Sequence, residues 1–209
     1  MASASTALSV FSAPSAGSTS ALTALTALTA LSLLSAPLSA QQTDQPAAIL
    51  ASGPDVGTRA PDFSLPWADK DSLGAADLWF SLSGQKGQVV VLIFYPRDFT
   101  KSPTEMLTRI AQDSVLGGGR AVVVGISSDS LTTHQRFAAS LALPFRLLGD
   151  SNYTVAKRWG AFDRSGQDRR VVYVIDRKGR VTYQDLQFVV SDPKEYTSLQ
   201  AAVKKALKS

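Results

Sequence analysis

The stretch "VVVLIFYPRDFTKSPTEML", Val89 to Leu107, decides how this chain is read. Its opening run, Val89–Tyr95, is continuously β-branched, aliphatic or aromatic, the pattern of a strand buried on both faces. Pro96 ends that strand, because it brings no N–H to a sheet ladder. Pro103 suits the first turn of a helix, with Ser102 before it as N-cap and Glu105 placed to complete a capping box. Met106, Leu107, Ile110 and Leu116 mark one apolar helical face, and the glycines at 117–119 are expected to stop the helix.

Working outward, buried strands and capped helices alternate. "RAVVVGIS" is a second buried strand, and "DSLTTHQRFAASLAL" a helix capped by Asp129 or Ser130. "FRLLGD" is a short strand, and "SNYTVAKRWGAF" a short helix with a turn. "RVVYVID" is a third strong strand, which "DRKG" folds back into "RVTYQDLQF" as a hairpin. The chain closes on a helix with Asp192 as cap, Pro193 at its first position and lysines near its C-terminus, where they suit the dipole. Strands spaced by helices, then a hairpin and a last helix, describe a mixed α/β sheet covered on both faces. Periodicity alone does not separate this order from other three-layer α/β folds.

Four stretches in combination narrow it. "GTRAPDFSLP" (Gly57–Pro66), "VVVLIFYPRDFT", "SSDSLTTHQRFAASLALPFRLLGDSNYTVAKRWGAF" (Ser127–Phe162) and "RRVVYVIDRKGRV" together resemble the peroxiredoxin family, the alkyl hydroperoxide reductase / thiol-specific antioxidant group. The likeness runs from about residue 57 to 190. It implies a three-layer α/β/α sandwich of thioredoxin-like fold. It also implies thiol-dependent reduction of hydroperoxides, with a thioredoxin-like donor and no bound cofactor or metal. In that family the active loop reads Pro, three residues, Thr, two residues, Cys, and the cysteine lies in the first turn of a helix. Helix-end N–H groups and an arginine stabilise the thiolate, which takes an oxygen from the peroxide and becomes a sulfenic acid.

The chain has no cysteine. Pro96 and Thr100 match the motif. Counting forward from Thr100 puts Pro103 at the cysteine position; counting back from "PTE", which in many members follows the cysteine, puts Ser102 there. Arg170 matches the family arginine, with Arg169 the near alternative. Thr100, Ser102, Pro103 and Arg170 are therefore the candidate site, read as vestigial.

Nothing in the sequence replaces the thiol. A serine hydroxyl stays protonated near neutral pH, and its oxidation would require an oxygen–oxygen bond. Ser102 as a hydrolytic nucleophile needs a base. The one histidine, His134, falls in the helix of another strand–helix unit, where a surface or packing role is expected, and no G-x-S-x-G elbow is present. Met106 reads as core. Asp69 and Asp71 read as a solvated loop, because one histidine and scattered acids make no ligand cluster. Two readings stand beside the lost peroxidase: a non-enzymatic module that holds a protein partner, a second copy or a small anion on the old active face, and a Ser102-dependent hydrolase.

Charge divides the chain sharply. Residues 59–209 carry all 21 Lys and Arg and 15 of the 17 acids, a net +6, without a dense basic block or basic–aromatic alternation. That describes a solubilising surface and excludes a nucleic-acid groove. Residues 1–58 hold no Lys or Arg and are crowded with Ala, Ser, Thr and Leu. The expected organisation is a targeting segment at 1–40, a linker at 41–56 and the domain at 57–209. The apolar run and the small residues near Ala40 favour an export signal. A plastid transit segment or a cytoplasmic protein with a low-complexity tail are the alternatives. Thr and Ser interrupt the run too often for a stable membrane span.

Overall fold

The computed structural model describes residues 53–163 and 169–209, and the targeting segment expected at 1–40 lies outside them. Six strands form one mixed sheet in the order β2-β6-β5-β4-β7-β8: β2 (Trp67–Ala68), β4 (Val90–Phe94), β5 (Val122–Ser127), β6 (Arg146–Gly149), β7 (Val171–Ile175) and β8 (Val181–Asp185). β4, β5 and β6 run parallel, joined through α1 (Lys101–Gln112) and α2 (Leu131–Ser140). β7 lies antiparallel on the other side of β4, and β8 closes that edge as its hairpin partner. α3 (Thr154–Arg158) precedes β7, and α4 (Pro193–Lys208) ends the chain. A small antiparallel pair, β1 (Ser64–Leu65) with β3 (Phe80–Ser81), stands apart from the main sheet. The expected α/β sandwich of thioredoxin-like fold is the one observed.

β4 shows why its run is apolar throughout. Successive strand residues point to opposite faces, and both faces are covered. Val91, Ile93 and Tyr95 pack with Met106, Leu107 and Ile110 of α1, Phe137 and Ala138 of α2, and Leu199, Val203 and Ala206 of α4. Val90, Leu92 and Phe94 pack in a second cluster with Val155 and Ala156 of α3, Trp159, and Phe63, Leu65 and Phe80 from the β1–β3 region. Trp159 is fully buried there, edge-on to Tyr173 at 4.9 Å and to Phe63 at 6.0 Å. Met106 is core, as expected.

Helix ends follow the expected caps with two corrections. Ser130, not Asp129, caps α2: its Oγ accepts from Thr133 N–H at 3.2 Å. Asp192 caps α4 and Pro193 opens it. α1, however, starts two residues before Pro103, with Thr100 as the extended residue at its head. Ser102 is therefore inside the first turn and is not the cap. Pro103 loses nothing at that depth, because the first N–H groups of a helix have no intrahelical acceptor. The second correction concerns the other end. α1 stops at Gln112, before the glycines, because the Asp113 carboxylate accepts from the N–H of Val115 (2.7 Å) and Leu116 (3.0 Å). That local bond competes with continuing the helix.

Asp69 does shape a loop: its carboxylate accepts from the N–H of Asp71 and Ser72. Among the described residues there is no group of three or more metal-ligating side chains, and no helix long and apolar enough to cross a membrane.

Candidate functional site

Thr100, Ser102 and Pro103 lie at the head of α1, just past the end of β4, and Arg170 lies one residue before β7, the strand paired with β4. Tyr95 extends β4 by one hydrogen bond, from its N–H to Ile126 O at 3.1 Å, and Pro96 then ends the ladder. The loop Pro96–Thr100 turns sharply into α1. Phe99 makes that turn with a left-handed φ of 56° and lays its ring on Phe137, 4.9 Å between centroids. A left-handed bulky residue is uncommon and costs backbone energy. Thr100 Oγ donates to Arg97 O at 2.8 Å, and Thr100 O accepts the first helical bond, from Thr104 N–H at 3.0 Å. Among the described residues no side chain caps α1, and no acid lies in its first turn. Ser102 is half-buried and Pro103 buried on that same turn.

Arg170 precedes β7 by one residue. Phe94 pairs with Val171, so the antiparallel register sets Arg170 beside Tyr95, at the mouth of the loop. Alternation along β7 places Val172 and Val174 in the α1-side core and Val171 and Tyr173 in the other. Carried back, it assigns Arg170 to the α1 side and Arg169 to the opposite one, where its charge acts on the Tyr173 hydroxyl. Arg170 is half-buried, its carbonyl accepts from Phe188 N–H at 3.0 Å, and its guanidinium makes no ion pair among the described residues.

What sequence reasoning missed lies underneath. Asp98, not singled out in the sequence, is buried, with its side chain 1% exposed. Its Oδ1 accepts from the Tyr95 hydroxyl at 2.8 Å, and its Oδ2 lies 2.7 Å from His134 Nδ1. A carboxylate only accepts, so Nδ1 carries a proton. His134 is fully buried, in the α2 helix as expected but with no surface role; its Nε2 has no hydrogen-bond partner among the described residues. The Asp98 N–H in turn donates to Asp129 Oδ2 at 2.7 Å, beside Ser127 Oγ. Burial, with the Asp98 charge adding to it, holds the Tyr95 hydroxyl well above its ordinary pKa, so it stays protonated and donating. Gly125 makes the room: a Cβ there would fall 3.0 Å from the Tyr95 ring and 2.7 Å from Leu147. The signal available in sequence was weak, a single His three residues into a helix and an Asp in a loop 36 positions earlier.

Chemically the arrangement offers an uncapped helix end, a hydroxyl on its first turn, and an arginine across the mouth. It offers no redox atom. Asp98 holds His134 Nδ1, which leaves Nε2 as the basic nitrogen, but Nε2 is fully buried and reaches neither Ser102 nor any other described polar group, so the hydrolase reading has no base in contact with Ser102.

Comparison with known proteins agrees with the geometry. The profile of the AhpC/TSA family matches residues 56–184, well over half of the chain. The chain belongs to that family. A peroxiredoxin of Coxiella burnetii is 35% identical over 136 residues, covering 61% of this chain and 85% of that protein. The chloroplastic peroxiredoxin Q of Triticum aestivum is 40% identical over 131 residues, and the match covers 61% of this chain but only 57% of the wheat protein. The fold is shared with the reduced 2-Cys peroxiredoxin of Plasmodium vivax, at a TM-score of 0.61 and 22% identity over 74% of this chain and 99% of that one. Among these relatives the present AhpC/TSA chain is a member without the family's thiol: its only sulfur atoms are those of Met1 and Met106. It is therefore not a thiol peroxidase.

The comparison overturns the expected export. The plant relatives, from wheat, rice, poplar and Sedum, are chloroplastic by name. The physical reason for the error is compositional. An Ala/Ser/Thr-rich front end without Lys, Arg or a charged opening lacks the basic start of an export signal, and its apolar run is shared by several kinds of leader.

Proposed function

We propose that this AhpC/TSA-family chain is a non-enzymatic binding module that uses the former active face. The observation that carries it is the combination of an α1 N-terminus without a side-chain cap and an Arg170 that the register sets next to Tyr95 and that makes no ion pair among the described residues. The ligand chemistry that fits is a carboxylate or similar anion, held by the guanidinium fork, the free first-turn N–H groups and the hydroxyls of Thr100 and Ser102. Pro103 shapes the turn without competing for the anion. Phe99, 53% exposed in the same loop, adds an apolar contact. That favours a protein partner presenting an acidic group next to an apolar side chain; a second copy of the chain is the variant of this reading that the test must separate.

The experiment is a two-part titration. Amide shifts of Lys101 and Ser102 are followed with sulfate or acetate in wild type and Arg170→Ala, and the molar mass of the full chain is followed against concentration. Saturable shifts that Arg170→Ala abolishes support the reading; identical titrations in the two proteins end it. A concentration-dependent dimer that Phe99→Ala dissociates selects the second copy as the partner.

A further inference from the structure

A second concavity lies at the other pole of the sheet. β4 carries the active loop at its C-terminal end, whereas the cavity opens at its N-terminal end, below the Val90–Ile175 pair. Five residues of strand, roughly 16 Å, separate Val90 from Tyr95. The cavity holds about 450 Å³, within the ordinary size of a small-molecule site. Its inner wall is apolar, from Ala60, Leu82, Val90 and Ile175. Its rim carries four cations, Arg59, Lys86, Arg177 and Lys178.

Two carboxylates, Asp62 and Asp176, also line it, but both are already committed to backbone. Asp62 Oδ1 accepts from the N–H of Phe63 and Ser83, each at 2.9 Å. Asp176 Oδ1 accepts from the N–H of Lys178 and Arg180, each at 2.9 Å. Burial would raise the Asp62 carboxyl, but its hydrogen bonds from Ser83 and Phe63 and the Lys86 charge outweigh burial and lower it, so it is ionised at neutral pH. Even so, the rim cations outnumber these charges by two. None of the four makes an ion pair with a described carboxylate. Gln85 and Gln88 add amide groups to the wall. A surface built only for solubility intersperses its charges and has no need of an apolar concavity beneath them.

We infer that this cavity binds a small amphiphilic anion: a flat or apolar body seated on Leu82, Val90 and Ile175, with a phosphate or carboxylate held by Lys86 and Lys178 at the rim. Two sources share that chemistry, a nucleoside monophosphate and an aromatic carboxylate. Both charges and body are required, since the cations are solvated without the apolar contact and the body alone gains nothing from the rim.

The test is calorimetric titration of the full chain with AMP, with indole-3-carboxylate, with adenosine and with inorganic phosphate. The variant is Lys86→Gln with Lys178→Gln, two exposed residues whose ammonium groups make no ion pair among the described residues. One of the two amphiphilic anions is expected to bind in the micromolar to low millimolar range, and which one binds identifies the source. The double variant should weaken that binding about tenfold or more, as expected for lost charge-assisted contacts, with an unchanged melting temperature. Adenosine and phosphate should bind far more weakly than the anion that succeeds. Failure of both amphiphilic anions to bind at about 5 mM, or equal affinity in the double variant, overturns the inference. Binding of phosphate as strong as that of the organic anion overturns the role of the apolar wall and with it the proposed ligand class. None of these outcomes depends on Arg170 or the α1 face.

Discussion

Replacing Asp98 by alanine should be among the most damaging single changes near the candidate site, although the residue sits in a loop. The carboxylate satisfies two buried donors, the Tyr95 hydroxyl at 2.8 Å and His134 Nδ1 at 2.7 Å. An unsatisfied buried donor costs about 1–3 kcal/mol, so two orphaned donors cost roughly 3–5 kcal/mol, the range also found for breaking a buried ion pair by removing one partner. For a domain of this size that lowers the melting temperature by roughly 10–15 °C. Urea denaturation of wild type, Asp98→Ala, His134→Leu and the double variant Asp98→Ala/His134→Leu provides the cycle. Each single variant should lose several kcal/mol. The double variant should recover part of that loss, because apolar groups leave no charge behind. A loss below about 1 kcal/mol for Asp98→Ala, or strict additivity in the cycle, would refute the claim that this buried pair fastens the loop.

Four other outcomes are expected. The chain should consume hydrogen peroxide with a thioredoxin system no faster than a protein-free blank. In Ser102→Cys, the new thiol on the half-buried position should react with a thiol reagent readily, whereas that of Pro103→Cys, at a buried position, should react slowly. Asp113→Asn should lower the melting temperature at pH 7. Burial opposes the Asp113 charge, but hydrogen bonds from Leu116, Val115, Gln200 and Tyr196 outweigh it and hold the carboxyl below 3.8. A depressed carboxyl stabilises above its unfolded value, so the difference between the two proteins should shrink as pH falls below about 4. Gly125→Ala should destabilise by about 1–3 kcal/mol through overpacking, because the added methyl falls 2.7 Å from Leu147; chemical denaturation measures it.

The fold was legible because its strands are hydrophobic without interruption. Val89–Tyr95 and Val171–Ile175 admit few readings other than strands covered on both faces. Helix heads were less so. Ser102 before a proline looked like a cap, yet a proline is equally comfortable one or two residues deeper, and the chain takes that option at Lys101. β1, β2 and β3 were invisible because two-residue strands carry no period. Of the site, Thr100, Ser102, Pro103 and Arg170 came from motif likeness, while the Asp98–His134 pair did not, because it joins two elements through space and neither residue follows a local pattern. The basic cavity escaped for the same reason: Arg59, Lys86 and Lys178 come from three separate segments.

The pair beneath the loop has a consequence for how such a protein can persist. Tyr95, Asp98, Asp129 and His134 brace the turn from below, and no atom at the head of α1 takes part. Erasing the reactive sulfur thus removes a reagent and leaves the foundation standing. Heredity can then keep the architecture intact for another employment, long after the original reaction has gone.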